Sequence, residues 1–153
     1  MATTADTETI ATTATTGLAS VAAAVDGAAP FSAATPAELE ARFCVLAAAG
    51  DVDALTTLYA ADAVVSLPRG REAAGHAAIR AAFADAIASG ARWAEPDSIR
   101  VIETGSLAMT SSTSVDGVVG TQVARREPDG GWVWVRDGSH LRSEVGADLL
   151  GAA

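Results

Sequence analysis

The chain has 153 residues, half of them apolar and few aromatic, which suits one soluble globular domain and excludes a disordered chain. Its formal charge is -9, from 19 acidic residues against 10 basic ones, all of them arginine, so nucleic acid and anionic membrane are not expected partners; both are bound through clustered cations that neutralise phosphates. The single cysteine, Cys44, has no intramolecular disulfide partner, and no Cys/His cluster has metal-ligand spacing, so neither a metal nor another cofactor is expected.

No apolar run approaches the length of a membrane span, and the N-terminus lacks the basic residues that begin a secretory signal. A cytoplasmic protein is the expectation. Residues 1–34 are rich in Thr and Ala, carry Asp6, Glu8 and Asp26 but no basic side chain, and read as a flexible N-terminal extension. The folded domain is expected over 35–142, with a C-terminal tail over 143–153.

Thr35 with Pro36 and Glu38 has the pattern of a capping box, which satisfies free amides at a helix start. Leu39, Phe43, Leu46 and Ala47 then recur at helical spacing, and Gly50-Asp51 ends that helix and caps a second one bearing Leu55, Leu58 and Tyr59. Val64-Val65-Ser66-Leu67 reads as a short strand closed by Pro68-Arg69-Gly70. Gly75 precedes a third helix with Ile79, Phe83 and Ile87 at four-residue spacing, stopped by Ser89-Gly90.

From there the period becomes two. Ile99–Glu103, Leu107–Ser114, Val118–Arg126 and Trp132–Asp137 are the predicted strands, with hairpin turns at Asp116-Gly117 and Pro128-Asp129-Gly130-Gly131. Three helices followed by a block of strands predict an α+β cone, a curved antiparallel sheet wrapped around three N-terminal helices. In the last strand Trp132 and Trp134 alternate with Val133 and Val135, so both faces are apolar. Helices cover one face, and a homodimer through the sheet is the expected cover for the other.

The run Ala49-Gly50-Asp51, Leu58-Tyr59-Ala60, Pro68-Arg69-Gly70 and Gly75-His76-Ala77-Ala78-Ile79 resembles the nuclear transport factor 2-like (NTF2-like) superfamily, which includes SnoaL-like polyketide cyclases and ketosteroid isomerases. That resemblance implies a container for a small molecule. Ketosteroid isomerases use a carboxylate base and an oxyanion hole of a tyrosine and a protonated aspartic acid. In this chain those positions correspond to Leu67 for the base, Phe43 for the tyrosine and Val123 for the aspartic acid, with Phe83 at a supporting tyrosine. The resemblance therefore implies a hydrophobic pocket for an apolar small molecule rather than ketosteroid isomerisation, with Tyr59 as the retained phenol and Trp93 and Trp134 as walls.

The same alignment points Trp132, Trp134 and Arg136 toward the cavity and Val133, Val135 and Asp137 away from it, unless a bulge reverses the parity. Arg125 shares the parity of Val123 and is expected at the rim. Arg136 is placed to hold a carboxylate or enolate oxygen, and His140, with Asp137 as orienting partner, is the expected acid–base group. The readings that follow are a cofactor-free isomerase, cyclase or dehydratase acting on a hydrophobic carbonyl compound, or a non-catalytic ligand-binding or dimeric assembly module.

Overall fold

The computed structural model describes residues 33–115 and 117–141. Helix α1 spans Pro36–Ala49 and α2 Val52–Thr56, followed by strand β1 over Tyr59–Leu67 and, after a tight turn, β2 over Arg71–Ala74. Helix α3 covers Gly75–Ala88, and the chain ends in strands β3 (Pro96–Thr104), β4 (Leu107–Ser114), β5 (Val119–Arg126) and β6 (Trp132–Asp137). The expected extension, apart from Ala33 and Ala34, the expected C-terminal tail, and Asp116 of the predicted turn lie outside the described residues.

Local chemistry sets the helix ends. The Thr35 hydroxyl accepts from the Glu38 amide (3.3 Å), and the Glu38 carboxylate accepts from the Ala34 amide (3.0 Å), a reciprocal cap of the kind the sequence predicts. At the other end Gly50 is left-handed (φ 73°), with Gly50 N–H on the Ala47 carbonyl and Asp51 N–H on the Leu46 carbonyl. Asp51 then caps α2 through the Ala54 amide (3.0 Å).

Helix α2 stops sooner than the sequence pattern implies. The hydroxyls of Thr56 and Thr57 bond back to the carbonyls of Val52 (2.7 Å) and Ala54 (2.6 Å), ending the helix, and Tyr59 opens β1 rather than closing a helix. The strand is recruited by β6, whose Trp134 N–H donates to the Leu58 carbonyl at 2.8 Å.

The six strands form one sheet in the order β2-β1-β6-β5-β4-β3. Every neighbouring pair is antiparallel except β1 and β6, which run parallel. The expected antiparallel sheet is corrected at this seam, where β1 and β6 run parallel, as the long connection through the rest of the domain allows. Helix α1 packs on β3, β4 and β6, and α3 on β1 and β2, so the helices fill the concave side of the sheet. No described helix is long and apolar enough to cross a membrane.

Strand pairing sorts the residues by face. Ala108, Ala124 and Trp134 share the inner face, as do Thr110, Gln122 and Asp137; Ile102, Met109, Val123 and Arg136 share the outer one. The Thr110–Ser114 stretch contributes only small hydroxylated side chains to the inner face, which leaves space between the helices and the sheet at that end. Because no atom lies within 4 Å of a side chain built at Gly50, the change Gly50→Ala is expected to act through backbone strain alone. It should destabilise the fold by about 1 kcal/mol in urea unfolding, and an unchanged midpoint would contradict the left-handed cap.

Candidate active site

A cavity of about 270 Å³ lies at the small-residue end of the inner face, between α1, β1 and the ends of β4, β5 and β6. One side is aromatic: Phe43 of α1, Tyr59 of β1, Trp93 after α3 and Trp134 of β6. Phe43 and Trp93 meet edge to face, centroids 5.5 Å apart and planes at 90°, and Tyr59 lies 5.2 Å from Trp134. Contacts of this kind fix the ring positions beyond what area burial supplies.

The cavity also has a polar lining, from which the sequence pointed to Asp137 and His140 but not to Glu40 or Gln122. Glu40, Ser112, Gln122, Asp137, Ser139 and His140 all line it. Asp137 is the centre of this group. Its Oδ2 accepts from the Tyr59 hydroxyl at 3.1 Å, and its Oδ1 accepts from the Ser139 amide at 3.0 Å and from the Ser139 hydroxyl. Gln122, buried, donates through Nε2 to Ser139 Oγ (3.3 Å) and accepts at Oε1 from Thr110 (3.0 Å). Chains of this sort polarise one another in a low-dielectric interior.

A bulge in β6 puts Asp137 there. Ala124 pairs with Trp134 but Val123 pairs with Arg136, so Val135 is an extra residue and the parity of the strand reverses after it. Asp137 therefore turns inward, and Arg136, expected inside, turns outward, where its guanidinium donates to the carbonyls of Val135 (2.6 Å) and Asp62 (3.3 Å). Val123 follows Arg136 to the outer face, and Gln122 takes the inner position instead. Arg125 is also outward, paired with Asp62 (3.3 Å) and Glu127 (3.0 Å).

Of the other expected residues, Phe43, Tyr59, Leu67, Trp93 and Trp134 line the cavity, and Phe83 stands one layer behind, against Phe43 (5.5 Å) and Trp93 (6.0 Å). His140 is exposed at the cavity edge, its amide donating to Ser66 Oγ at 3.0 Å. His76 is elsewhere, with its Nε2 2.7 Å from the Tyr59 carbonyl, a link between α3 and β1.

Burial governs the electrostatics. It pushes the Tyr59 phenol well above its ordinary value, and the adjacent charge of Asp137 adds to the effect. Burial likewise raises the Glu40 carboxyl, partly offset by a hydrogen bond from Ser112 Oγ (3.1 Å) and reinforced by the charge of Asp137. Cys44, also at the cavity wall, is pushed up to about 11 by burial and by Glu40 and Glu95, so it stays a thiol at neutral pH and is a poor nucleophile. Among the described residues no three His, Cys, Asp or Glu side chains converge as a metal site.

Glu40 is the main functional candidate that sequence reasoning missed. The available signal was its spacing: Glu40, Phe43 and Cys44 stand at i, i+3 and i+4, one helical face, so a carboxyl next to the apolar stripe of α1 had to enter the same space.

Residues 40–147 match the family model for the SnoaL-like domain. Among solved structures, the chain is similar to an NTF2-like protein with a cystatin-like fold from Novosphingobium aromaticivorans, 27% identical over 65% of this chain and 75% of that one, TM-score 0.53. It also resembles a proposed dehydratase of the NTF2-like family from Streptomyces avermitilis (21% identity, 66% and 88% coverage, TM-score 0.56) and a protein with a cystatin-like fold from Nostoc punctiforme (18%, 66% and 84%, TM-score 0.57). At those identities the last two show the fold alone. No curated protein matches the chain.

Tyr59 is the only tyrosine, so its ionisation can be followed by ultraviolet absorbance. With the folded value raised above the ordinary 10.0, no tyrosinate forms near pH 10 while the protein is folded, and stability declines as pH rises beyond that point. An ordinary phenol titration in the folded protein would contradict the enclosed Tyr59–Asp137 pair.

Proposed function

Because the chain belongs to the SnoaL-like domain family and has the NTF2-like fold, we propose that its cavity carries out cofactor-independent proton transfer on a hydrophobic carbonyl compound, as an isomerase, cyclase or dehydratase. The observation that carries this reading is the inward Asp137 carboxylate, held by three donors beside an aromatic wall. A fixed carboxylate facing a bound ring can remove a proton from carbon next to a carbonyl, and such positioned bases contribute about 10²–10⁴-fold.

The ring side of the ligand stacks against Phe43, Trp93 and Trp134, with Leu67 closing the apolar end, and Asp137 reads the polar end. His140 at the cavity edge exchanges protons between the interior and solvent. Arg136 and Arg125 take no part, because both guanidinium groups are engaged on the outer face. The proposed dehydratase activity of the Streptomyces avermitilis protein is compatible with this chemistry, since dehydration next to a carbonyl begins with the same proton abstraction.

The test needs no knowledge of the natural substrate. Cyclic ketones and enones incubated with the protein in deuterium oxide should lose their α-proton NMR signals, and Asp137→Asn should slow that exchange by roughly 10²-fold or more. Arg136→Ala should exchange like the wild type. Compounds that raise Tm without any catalysed exchange would favour a binding module instead.

We also propose that a second copy covers the outer sheet face. There Ile102 (71% exposed) and Met109 (51% exposed) lie side by side with Val123 in one row across three strands. A contiguous apolar row across a sheet face suits a self-complementary interface. The double variant Ile102→Glu/Met109→Glu should sediment as a monomer at concentrations where the wild type is a dimer; a monomeric wild type would end the proposal.

A further inference from the structure

Two carboxyl groups line the cavity, Glu40 on α1 and Asp137 at the end of β6, and they are served unequally. Asp137 receives three donors: the Tyr59 hydroxyl, the Ser139 amide and the Ser139 hydroxyl. All three need an acceptor, which is what an ionised carboxylate provides. Among the described residues Glu40 has only Ser112, at Oε1, and its Oε2 is buried with no hydrogen-bond partner. A buried carboxylate oxygen without a donor is costly, and the neutral form removes most of that cost.

Resting on the proton-transfer reading above, we propose that Glu40 is the acid that partners Asp137: it holds a proton in the resting cavity and delivers it to the substrate oxygen. The substrate class this selects is a neutral ketone or enone, since a carboxylate-bearing ligand would meet two acids. Asp137 takes the proton from carbon, the electron pair moves to the carbonyl oxygen, and that oxygen takes the Glu40 proton to form an enol. Return of the Asp137 proton to a different carbon, with the enol proton going back to Glu40, completes an isomerisation and restores both groups.

The surroundings agree with this division. The titratable group acting on Glu40 is Asp137, Glu40 in turn raises Tyr59 on β1 and Cys44 on its own helix, and none of the three supplies a positive charge. Glu95, in the segment before β3, acts with Glu40 on Cys44 and is acidic too. Arg92 lines the same cavity, but its guanidinium turns back to the Ala91 carbonyl at 2.8 Å. On α1, Arg42 pairs with Glu38. His140 stands at the cavity edge.

The experiment is a carbon-13 NMR titration of the side-chain carboxyls in the full chain, alongside α-proton exchange of cyclohexenone. Glu40 should titrate above the ordinary 4.5, and the Asp137→Asn change should move it back toward that value by removing a neighbouring charge. With its folded value raised, the stability Glu40 contributes is complete below the unfolded value and is lost as pH rises through the folded one, so Glu40→Gln should gain on the wild type as pH climbs. Glu40→Gln should slow exchange by about 10²-fold and Glu40→Asp should recover part of it.

A Glu40 that titrates with the exposed carboxyls overturns the proposal while leaving Asp137 as base. So does a raised titration combined with undiminished exchange in Glu40→Gln. Loss of the effect of Asp137→Asn would instead bring down the underlying reading. Should Glu40→Gln fail to fold, Ser112→Ala decides: removal of this donor must push the Glu40 titration higher, and no movement counts against the assignment.

Discussion

The hydrogen bonds that hold the Asp137 carboxylate depend on one extra residue in β6. A regular strand would send Asp137 to the outer face with Val135 and keep Arg136 inside, giving a cationic cavity suited to anions. With Val135 bulged, the same sequence produces an acidic one. The three donors to Asp137 come from β1 and from the residues just past β6, so the bulge, the β1–β6 seam and the following turn are mutually reinforcing. Breaking any one of them would leave a half-buried charged group without its partners, which favours this arrangement over the regular strand.

The space itself has a simpler origin. Inner-face positions on β4 and β5 carry Thr110, Ser112, Ser114 and Gly120, too small to fill the space beside α1, while Trp134 bounds that space on its aromatic side. At Gly120 an added Cβ would come within 2.8 Å of Ser112 Oγ and 3.0 Å of Gln122 Nε2, so even one methyl would disturb the polar wall. The aromatic cluster then gives the cavity one rigid apolar side and leaves acid–base chemistry to the other. A ligand in that setting is oriented before any proton moves, the condition under which a positioned carboxylate is most effective.

Much of this was legible in the residues. Thr35, Pro36, Glu38, Gly50 and Asp51 carry their structural roles in their own chemistry, and the change of period from helical to two marks the sheet. The α2–β1 boundary was not legible, because Leu55, Leu58 and Tyr59 fit a helical stripe and only pairing with β6 makes Tyr59 a strand residue. Parity after Val135 was not legible either: a bulge is a property of the pair of strands, and nothing in Trp-Val-Trp-Val-Arg-Asp declares which residue is extra. An alignment by family resemblance thus placed Arg136 and Val123 on the wrong face, and reading cavity composition from those positions made it too apolar. Glu40 was overlooked because a charged residue on an amphipathic helix is usually assigned to the solvent side.

The strand register between β5 and β6 is the most direct test, and cross-strand nuclear Overhauser contacts measure it in solution. The account predicts that Gln122 faces Asp137 and Val123 faces Arg136. Contacts that place Gln122 opposite Arg136 and Val123 opposite Val135 would mean an unbulged strand, an outward Asp137 and a cavity with different chemistry.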